Sequence, residues 1–168
     1  MSVSEIHHVA LPVSNLERSM AFYQQVLGYR PTLRMNLGGK DVEDFLAVPR
    51  GTTGRSVFMQ GPSQLGQIEM IEWNGGPTQG TRPGGMMDLG GFLMSFELEE
   101  GDTIDEQYRR AQEAGAECLS EPLAVELENY GVIRSFVCRD PDGYLLEFVS
   151  LPTRAEILAY RSKHKKDL

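Results

Sequence analysis

Two glutamates and one histidine stand where their neighbours ask for chemistry. Glu147 lies in Tyr144-Leu145-Leu146-Glu147-Phe148-Val149, a run that otherwise reads as a strand that wants to be buried. An unpaired carboxylate in such a strand costs several kcal/mol or titrates away, so a metal, a cationic partner or a raised pKa is implied. Glu69, in Gln67-Ile68-Glu69-Met70-Ile71, repeats the logic in weaker form. Glu72 follows on the opposite face and shows that this strand tolerates acid, so a rim or ion-paired glutamate is the plainer reading. His8 lies in a strand that begins His7-His8-Val9-Ala10-Leu11-Pro12-Val13, where Val9, Leu11 and Val13 alternate with His8, Ala10 and Pro12. Its imidazole sits on the face away from the apolar set, either as a nitrogen ligand for a metal or as a hydrogen-bonded, half-buried histidine. His7 should alternate to the opposite face, because neighbours in a strand cannot reach one point. His164 is in the tail and takes part only if that tail folds over a cleft.

The elements that must position these residues occur twice. The strand from His7 is followed by Ser14 and Glu17, spaced as a capping box, and by Leu16, Met20, Tyr23 and Leu27, an apolar stripe at helical spacing that Gly28 is placed to end. The second copy begins with Phe92-Leu93-Met94-Ser95-Phe96-Glu97-Leu98, in which Leu93 falls where His8 was. Thr103 and Glu106 form its capping box, Ile104, Tyr108 and Ala111 its stripe, and Gly115 its stop. Each copy closes on a hydrophobic strand with one acid, Glu69 or Glu147. Arg139-Asp140-Pro141-Asp142-Gly143 is a strong turn signal before the last strand. We expect a first module at residues 5–74, a Gly/Pro-rich linker at 75–91, a second module at 92–151 and a helical tail at 152–168. Met86 and Met87 of the linker either overhang a pocket or simply anchor the loop. The tail carries its own capping box at Thr153 and Glu156, and its basic end, Lys163 to Lys166, suits a helix C-terminus.

Composition limits the partners. The 168 residues hold 16 Lys+Arg against 24 Asp+Glu, a net charge of −8, which is the wrong sign for neutralising phosphates or an anionic membrane. Nucleic acid and membrane are not expected. No apolar run approaches the ~20 residues of a membrane span, and the N-terminal residues lack the pattern of a signal peptide, so a cytoplasmic protein is expected. Cys118 and Cys138 are too few for a disulfide framework and are not spaced as a Cys-x-x-Cys pair, so buried free thiols are expected.

His8-Val9-Ala10-Leu11-Pro12-Val13, Phe22-Tyr23, Leu27-Gly28-Tyr29 and Asp140-Pro141-Asp142-Gly143-Tyr144-Leu145-Leu146-Glu147, set in this repeat, resemble the vicinal oxygen chelate superfamily of glyoxalases, bleomycin-resistance proteins and extradiol dioxygenases. The resemblance implies an α+β fold of two βαβββ modules whose curved sheets form a U-shaped cleft, followed here by a short C-terminal helix. Carried over by position, the family's metal ligands become His8 and Glu69 from the first module and Leu93 and Glu147 from the second. Leu93 stands where the glyoxalase and epimerase branches usually have His or Gln, and it cannot bind metal. Its presence removes the two-His-one-carboxylate triad of an extradiol dioxygenase, which is therefore disfavoured, and makes true glyoxalase I activity doubtful. His8, Glu69 and Glu147 would suit Zn, Ni, Mn or Co.

Two functions follow from that resemblance. In the first, the protein is a metal-assisted lyase or isomerase acting on a small carbonyl compound through an enediolate, with Glu147 or Glu69 as general base. In the second, it is a metal-free small-molecule binding or resistance module, or a cofactorless acid/base enzyme, whose cleft is lined by Leu93, Met35, Phe58, Trp73 and Tyr130. A member with a vestigial cleft is the third reading. A homodimer is expected from the family habit of pairing modules, with Ile157 and Tyr160 of the tail as the candidate contact.

Overall fold

The run that opens with His8 forms β1 (His8–Pro12), followed by α1 (Leu16–Leu27), β2 (Arg30–Leu37), α2 (Lys40–Leu46), β3 (Gly54–Gln60) and β4 (Gln67–Trp73). These elements belong to the first of two units, Met1–Arg82 and Pro83–Leu168, of a computed structural model that describes residues 3, 5–75 and 84–164. Residues 76–83 of the expected linker and 165–168 of the tail lie outside the described residues. The sheet has the order β1-β4-β3-β2, with β1 parallel to β4 and the other pairs antiparallel. Alternation puts Leu11, Val13, Val57, Met59, Ile68 and Met70 on the face that α1 covers, and all are buried.

Helix α1 differs from expectation in two details. Its buried stripe is Leu16, Ser19, Phe22, Tyr23 and Val26, whereas Met20 and Leu27 are half-exposed flanks. The adjacent pair Phe22 and Tyr23, in edge contact at 5.4 Å, centres the stripe between two helical rows, which a four-three-four spacing does not allow for. The N-cap is Asn15, whose side chain accepts from the Arg18 amide at 2.9 Å. Ser14 instead accepts from the Arg18 guanidinium at 2.8 Å, and Glu17 pairs with Arg34 at 3.3 Å. The cap shifts by one residue because asparagine caps as well as serine and a carboxylate from the sheet completes it. Glu72 accepts from the Leu16 amide at 3.1 Å and from Arg55 at 2.6 Å. That job explains an acid at Glu72. Gly28 ends the helix in the left-handed region, φ 67°, as expected. Helix α2 is an addition to the repeat.

The second unit runs β5 (Leu93–Glu97), α3 (Ile104–Glu113), β6 (Glu117–Cys118), β7 (Leu123–Leu127), β8 (Gly131–Arg139), β9 (Leu145–Ser150) and α4 (Arg154–Lys163). The sheet order is β5-β9-β8-β6, with β7 also paired to β8. Its core holds Met94, Ile104, Ala111, Phe136, Cys138, Leu146 and Phe148. Tyr108 is only half-buried but meets Phe136 edge-on at 5.1 Å, while Gln107 takes a buried place in the helix stripe. Thr103 caps α3 as expected. Gly115 closes it, with its amide on Gln112 and the next amide, of Ala116, on Ala111, as in a Schellman motif.

Asp140 is 3% exposed, and its Oδ1 accepts from the amides of Asp142 and Tyr144 at 2.9 and 2.8 Å. That side chain works with backbone bonds from Gly143 to Asp140 and from Asp140 to Tyr144, and with Arg139 donating to the Gly143 carbonyl, to hold the turn into β9. Asp140→Ala leaves both amides without that acceptor and is expected to cost about 2–3 kcal/mol in urea unfolding; a loss below ~0.5 kcal/mol would show that water replaces the carboxylate.

Helix α4 starts on the expected Thr153/Glu156 capping box. It is held within its own unit. Tyr160 donates to Glu126 at 2.6 Å and Arg161 donates to the Asn129 carbonyl at 2.6 Å, so Tyr160 is already engaged, while Leu158 is exposed. Among the described residues no helix is long and apolar enough to cross a membrane.

The two sheets share one register. In β1 and β4, His8 faces Gln67 and Ala10 faces Glu69. In β5 and β9, Leu93 faces Leu145 and Ser95 faces Glu147. His8 and Leu93 are therefore equivalent positions, as are Glu69 and Glu147.

Candidate functional site

Alternation along four strands places His8, Glu69, Ile71, Trp73, Ser56, Phe58 and Met35 on the sheet face of the first unit opposite α1. His8 and Glu69 meet there as diagonal neighbours, Nε2 to Oε2, at 3.7 Å, with side chains 37% and 12% exposed. The Phe58 ring, opposite Glu69 in register, stands edge-on to the His8 imidazole at 5.2 Å.

His7 departs from expectation. Strand β1 begins at His8, so His7 is free of strand alternation, and its Nδ1 lies 2.9 Å from Nδ1 of His8. One ring donates and the other accepts, so this contact couples His7 to the tautomer that His8 presents to Glu69. With Nδ1 of His8 donating, Nε2 is a lone pair free for a metal; with Nδ1 accepting, Nε2–H donates toward the carboxylate.

The remaining pocket candidates are distributed as follows. Met35 is half-buried opposite Ser56, and together they line a groove with Leu16, Arg34, Asn36 and Arg55. Trp73 is half-buried over Gly54. Tyr130 is in the turn between β7 and β8 and is not on a strand face. Met86 and Met87 are exposed within their unit.

A Cβ at Gly54 would lie 2.6 Å from the Glu72 carbonyl and 2.8 Å from Cε3 of Trp73. The indole needs that bare backbone. Gly54→Ala is expected to cost about 1–3 kcal/mol and to shift the fluorescence of Trp73, which is the chain's single tryptophan; an unchanged spectrum and midpoint would show that the indole moves aside freely.

Ser56 was not singled out by sequence reasoning. It is 1% exposed and its Oγ is without a hydrogen-bond partner. A buried hydroxyl in that state is destabilising by about 1–3 kcal/mol. The signal was present: in Gly54-Arg55-Ser56-Val57-Phe58 the serine shares the parity of Phe58, which puts it on the face of Glu69 rather than under α1.

In the second unit, Glu147 lies between Ser95 and Val137 on the sheet face opposite α3. It is half-buried, so its setting is less severe than its flanking residues suggest: Leu146 and Phe148 are buried against α3, whereas Glu147 faces the other way. Leu93, half-buried on the same face, supplies no donor.

For a divalent metal, donors at about 2.0–2.2 Å from a tetrahedral ion stand about 3.3–3.5 Å apart. The 3.7 Å between His8 and Glu69 is close to that spacing. One imidazole nitrogen and one carboxylate oxygen are a fitting part of a Zn, Ni, Mn or Co site. Within the first unit these are two donors, and no third His, Cys, Asp or Glu joins them among the described residues.

Two units with the same internal register, each with a glutamate on the face of its last strand turned away from its helix, define the fold class. Residues 5–148 match the Glyoxalase/Bleomycin resistance protein/Dioxygenase superfamily, and the chain belongs to it. It is similar to the metallothiol transferase FosB of Shouchella clausii, 29% identical over 99% of this chain and 92% of that one. A glyoxalase family protein from Bacillus cereus has the same fold, with a TM-score of 0.76 at 21% identity over 91% of this chain and 97% of its own. A glyoxylase/bleomycin resistance protein/dioxygenase domain from Frankia sp. superposes with a TM-score of 0.60 at 25% identity, over 91% and 96%.

Proposed function

We propose that the chain is a metal-assisted lyase or isomerase acting on a small carbonyl compound with adjacent oxygens, with His8 and Glu69 of the first unit as metal ligands. The observation that carries this reading is the approach of His8 Nε2 and Glu69 Oε2 to 3.7 Å on the sheet face opposite α1. Family membership supports it, and the relative FosB is named a metallothiol transferase.

A divalent ion held by these side chains would supply Lewis acidity toward the substrate's oxygens. The chain's own residues do the rest. His8 orients one side of the substrate, and its tautomer is coupled to His7. Phe58 and Trp73 present apolar walls that limit water. Glu69 accepts the proton α to the carbonyl and leaves an enediolate on the substrate; returning that proton to the neighbouring carbon gives an isomer, and expelling a β-substituent gives a lyase product.

Leu93 favours a second reading. At the position equivalent to His8 it turns one half of the donor set apolar, and Ile133, Val137 and Val149 share its sheet face. A metal-free module that sequesters an apolar ligand, or a cofactorless acid/base enzyme, would use such a face.

Protein purified without chelator is expected to carry stoichiometric divalent metal on elemental analysis. It is also expected to exchange the α-proton of small 2-hydroxycarbonyl compounds for deuterium in D2O, with the rate falling at least about 100-fold in Glu69→Gln. Exchange that appears only with a thiol present would assign the transfer chemistry of the relative's name instead. Tight binding of aromatic ligands by EDTA-treated protein, indifferent to added metal, would favour the metal-free module.

A further inference from the structure

Cys118 and Cys138 are direct cross-strand partners in the antiparallel pair of β6 and β8. The neighbouring pair, Leu119 and Val137, is joined by a backbone bond from the Leu119 amide to the Val137 carbonyl at 2.9 Å. The cysteines therefore occupy the adjacent non-hydrogen-bonded position, where opposed Cα atoms are about 4.5 Å apart and side chains come closest. A disulfide spans Cα separations of about 4.4–6.8 Å. Opposed residues share a face of the sheet, here the face of Phe136 and Cys138 that packs under α3. Cys118 is partly open to solvent while Cys138 is fully buried, and both are thiols in this structure.

We propose that Cys118 and Cys138 are an oxidation site that closes to an intramolecular disulfide on exposure to a hydroperoxide. The Cys118 thiolate attacks the distal peroxide oxygen, the O–O bond breaks, and Cys118 becomes a sulfenic acid while the leaving oxygen departs as water. Cys138 then attacks that sulfur, the S–S bond forms, and the sulfenic oxygen leaves as a second water with the Cys138 proton. Two thiols and one hydrogen peroxide give one disulfide and two waters, and a dithiol reductant reverses the step. The order follows from exposure: only Cys118 is open to the oxidant, and only Cys138 is opposite it.

Burial pushes both thiols up, Cys138 to about 12, so little thiolate is present at neutral pH and closure is slow at any given peroxide concentration. Strand β6 is two residues long, lies at the sheet edge and follows directly on the Gly115 stop of α3. A bond from it to the central strand β8 pins the exit of α3 and encloses the β7 hairpin in a covalent loop.

Peptide mapping of the full chain tests this, because trypsin separates the two cysteines: Cys118 falls in residues 111–134 and Cys138 in 135–139. After hydrogen peroxide, the two peptides are expected to run as one cross-linked species lighter by two hydrogens, restored by dithiothreitol. The unfolding midpoint of the oxidised chain is expected to rise by roughly 5 °C or more. Cys118→Ser, at the half-exposed member, removes both effects. Sulfinic acid on Cys118, or a disulfide between two chains, with Cys138 still a thiol that alkylates only after denaturation, would overturn the proposal; because the mapping is made on the wild-type chain, it does not depend on how any variant folds.

Discussion

Replacing His8 by alanine is expected to weaken divalent-metal binding by more than the about 10–100-fold typical of outer-shell changes, because a donor itself is removed. Titration of Zn, Ni, Mn and Co into chelator-treated protein measures it. Stability is expected to hold within about 0.5 kcal/mol, since the His8 side chain is 37% exposed and its pairing with Glu69 is long at 3.7 Å. An exposed ion pair of that kind is worth about 0–1 kcal/mol. That combination separates a ligand from a structural histidine: the latter loses stability and leaves metal affinity alone. Equal affinity in wild type and His8→Ala would remove the metal from the proposed function and leave the acid/base pair. His7→Ala is the useful companion, because it breaks the 2.9 Å contact to His8 Nδ1 without removing the Nε2 that faces Glu69.

Phe136→Ala is expected to destabilise the second unit by about 3–5 kcal/mol, the range for emptying a buried aromatic site. Phe136 is 1% exposed, stacks on Phe148 at 5.1 Å and receives the edge of Tyr108 at 5.1 Å. Phe148 in turn stacks on Phe96 at 5.8 Å, so the substitution cuts a run of rings that ties β5, β9, β8 and α3 together. Such pairs are worth about 0.5–1.5 kcal/mol each beyond the area they bury. Against a total stability of about 5–15 kcal/mol, that loss decides whether the unit stays folded at 37 °C. Urea unfolding followed by circular dichroism measures it, with Leu158→Ala, at a residue 56% exposed, expected within about 0.5 kcal/mol as the control. A shift under about 1 kcal/mol at Phe136 would mean that α3 collapses onto the sheet and refills the space.

Much of this architecture was legible in the chain because it rests on local rules. Alternation in β1 separated Leu11 and Val13 from His8, and glycine at 28 and 115 marked helix ends that need a left-handed residue. The Asp-Pro-Asp-Gly turn needs only its own side chain and amides. Where two local answers were nearly equal, sequence reasoning chose wrongly. Ser14 and Asn15 both make good caps, and Glu72, distant in sequence, tipped the choice. Met20 and Phe22 both sit near the stripe of α1, and packing of the helix on β3 and β4 selected Phe22.

The site divides the same way. The residue types at 8, 69, 93 and 147 and their internal correspondence were determined by the sequence, since a repeat is a property of spacing and a strand's face follows from parity. Tertiary structure decided what those residues meet. It set His8 beside Glu69 by a parallel register between strands far apart in the chain, and brought His7 onto His8 by starting β1 one residue later. It left Ser56 buried without a partner, and it put Cys118 opposite Cys138. Apart from the contact between the neighbours His7 and His8, each depends on segments that only packing brings together, and local propensity carries no term for it.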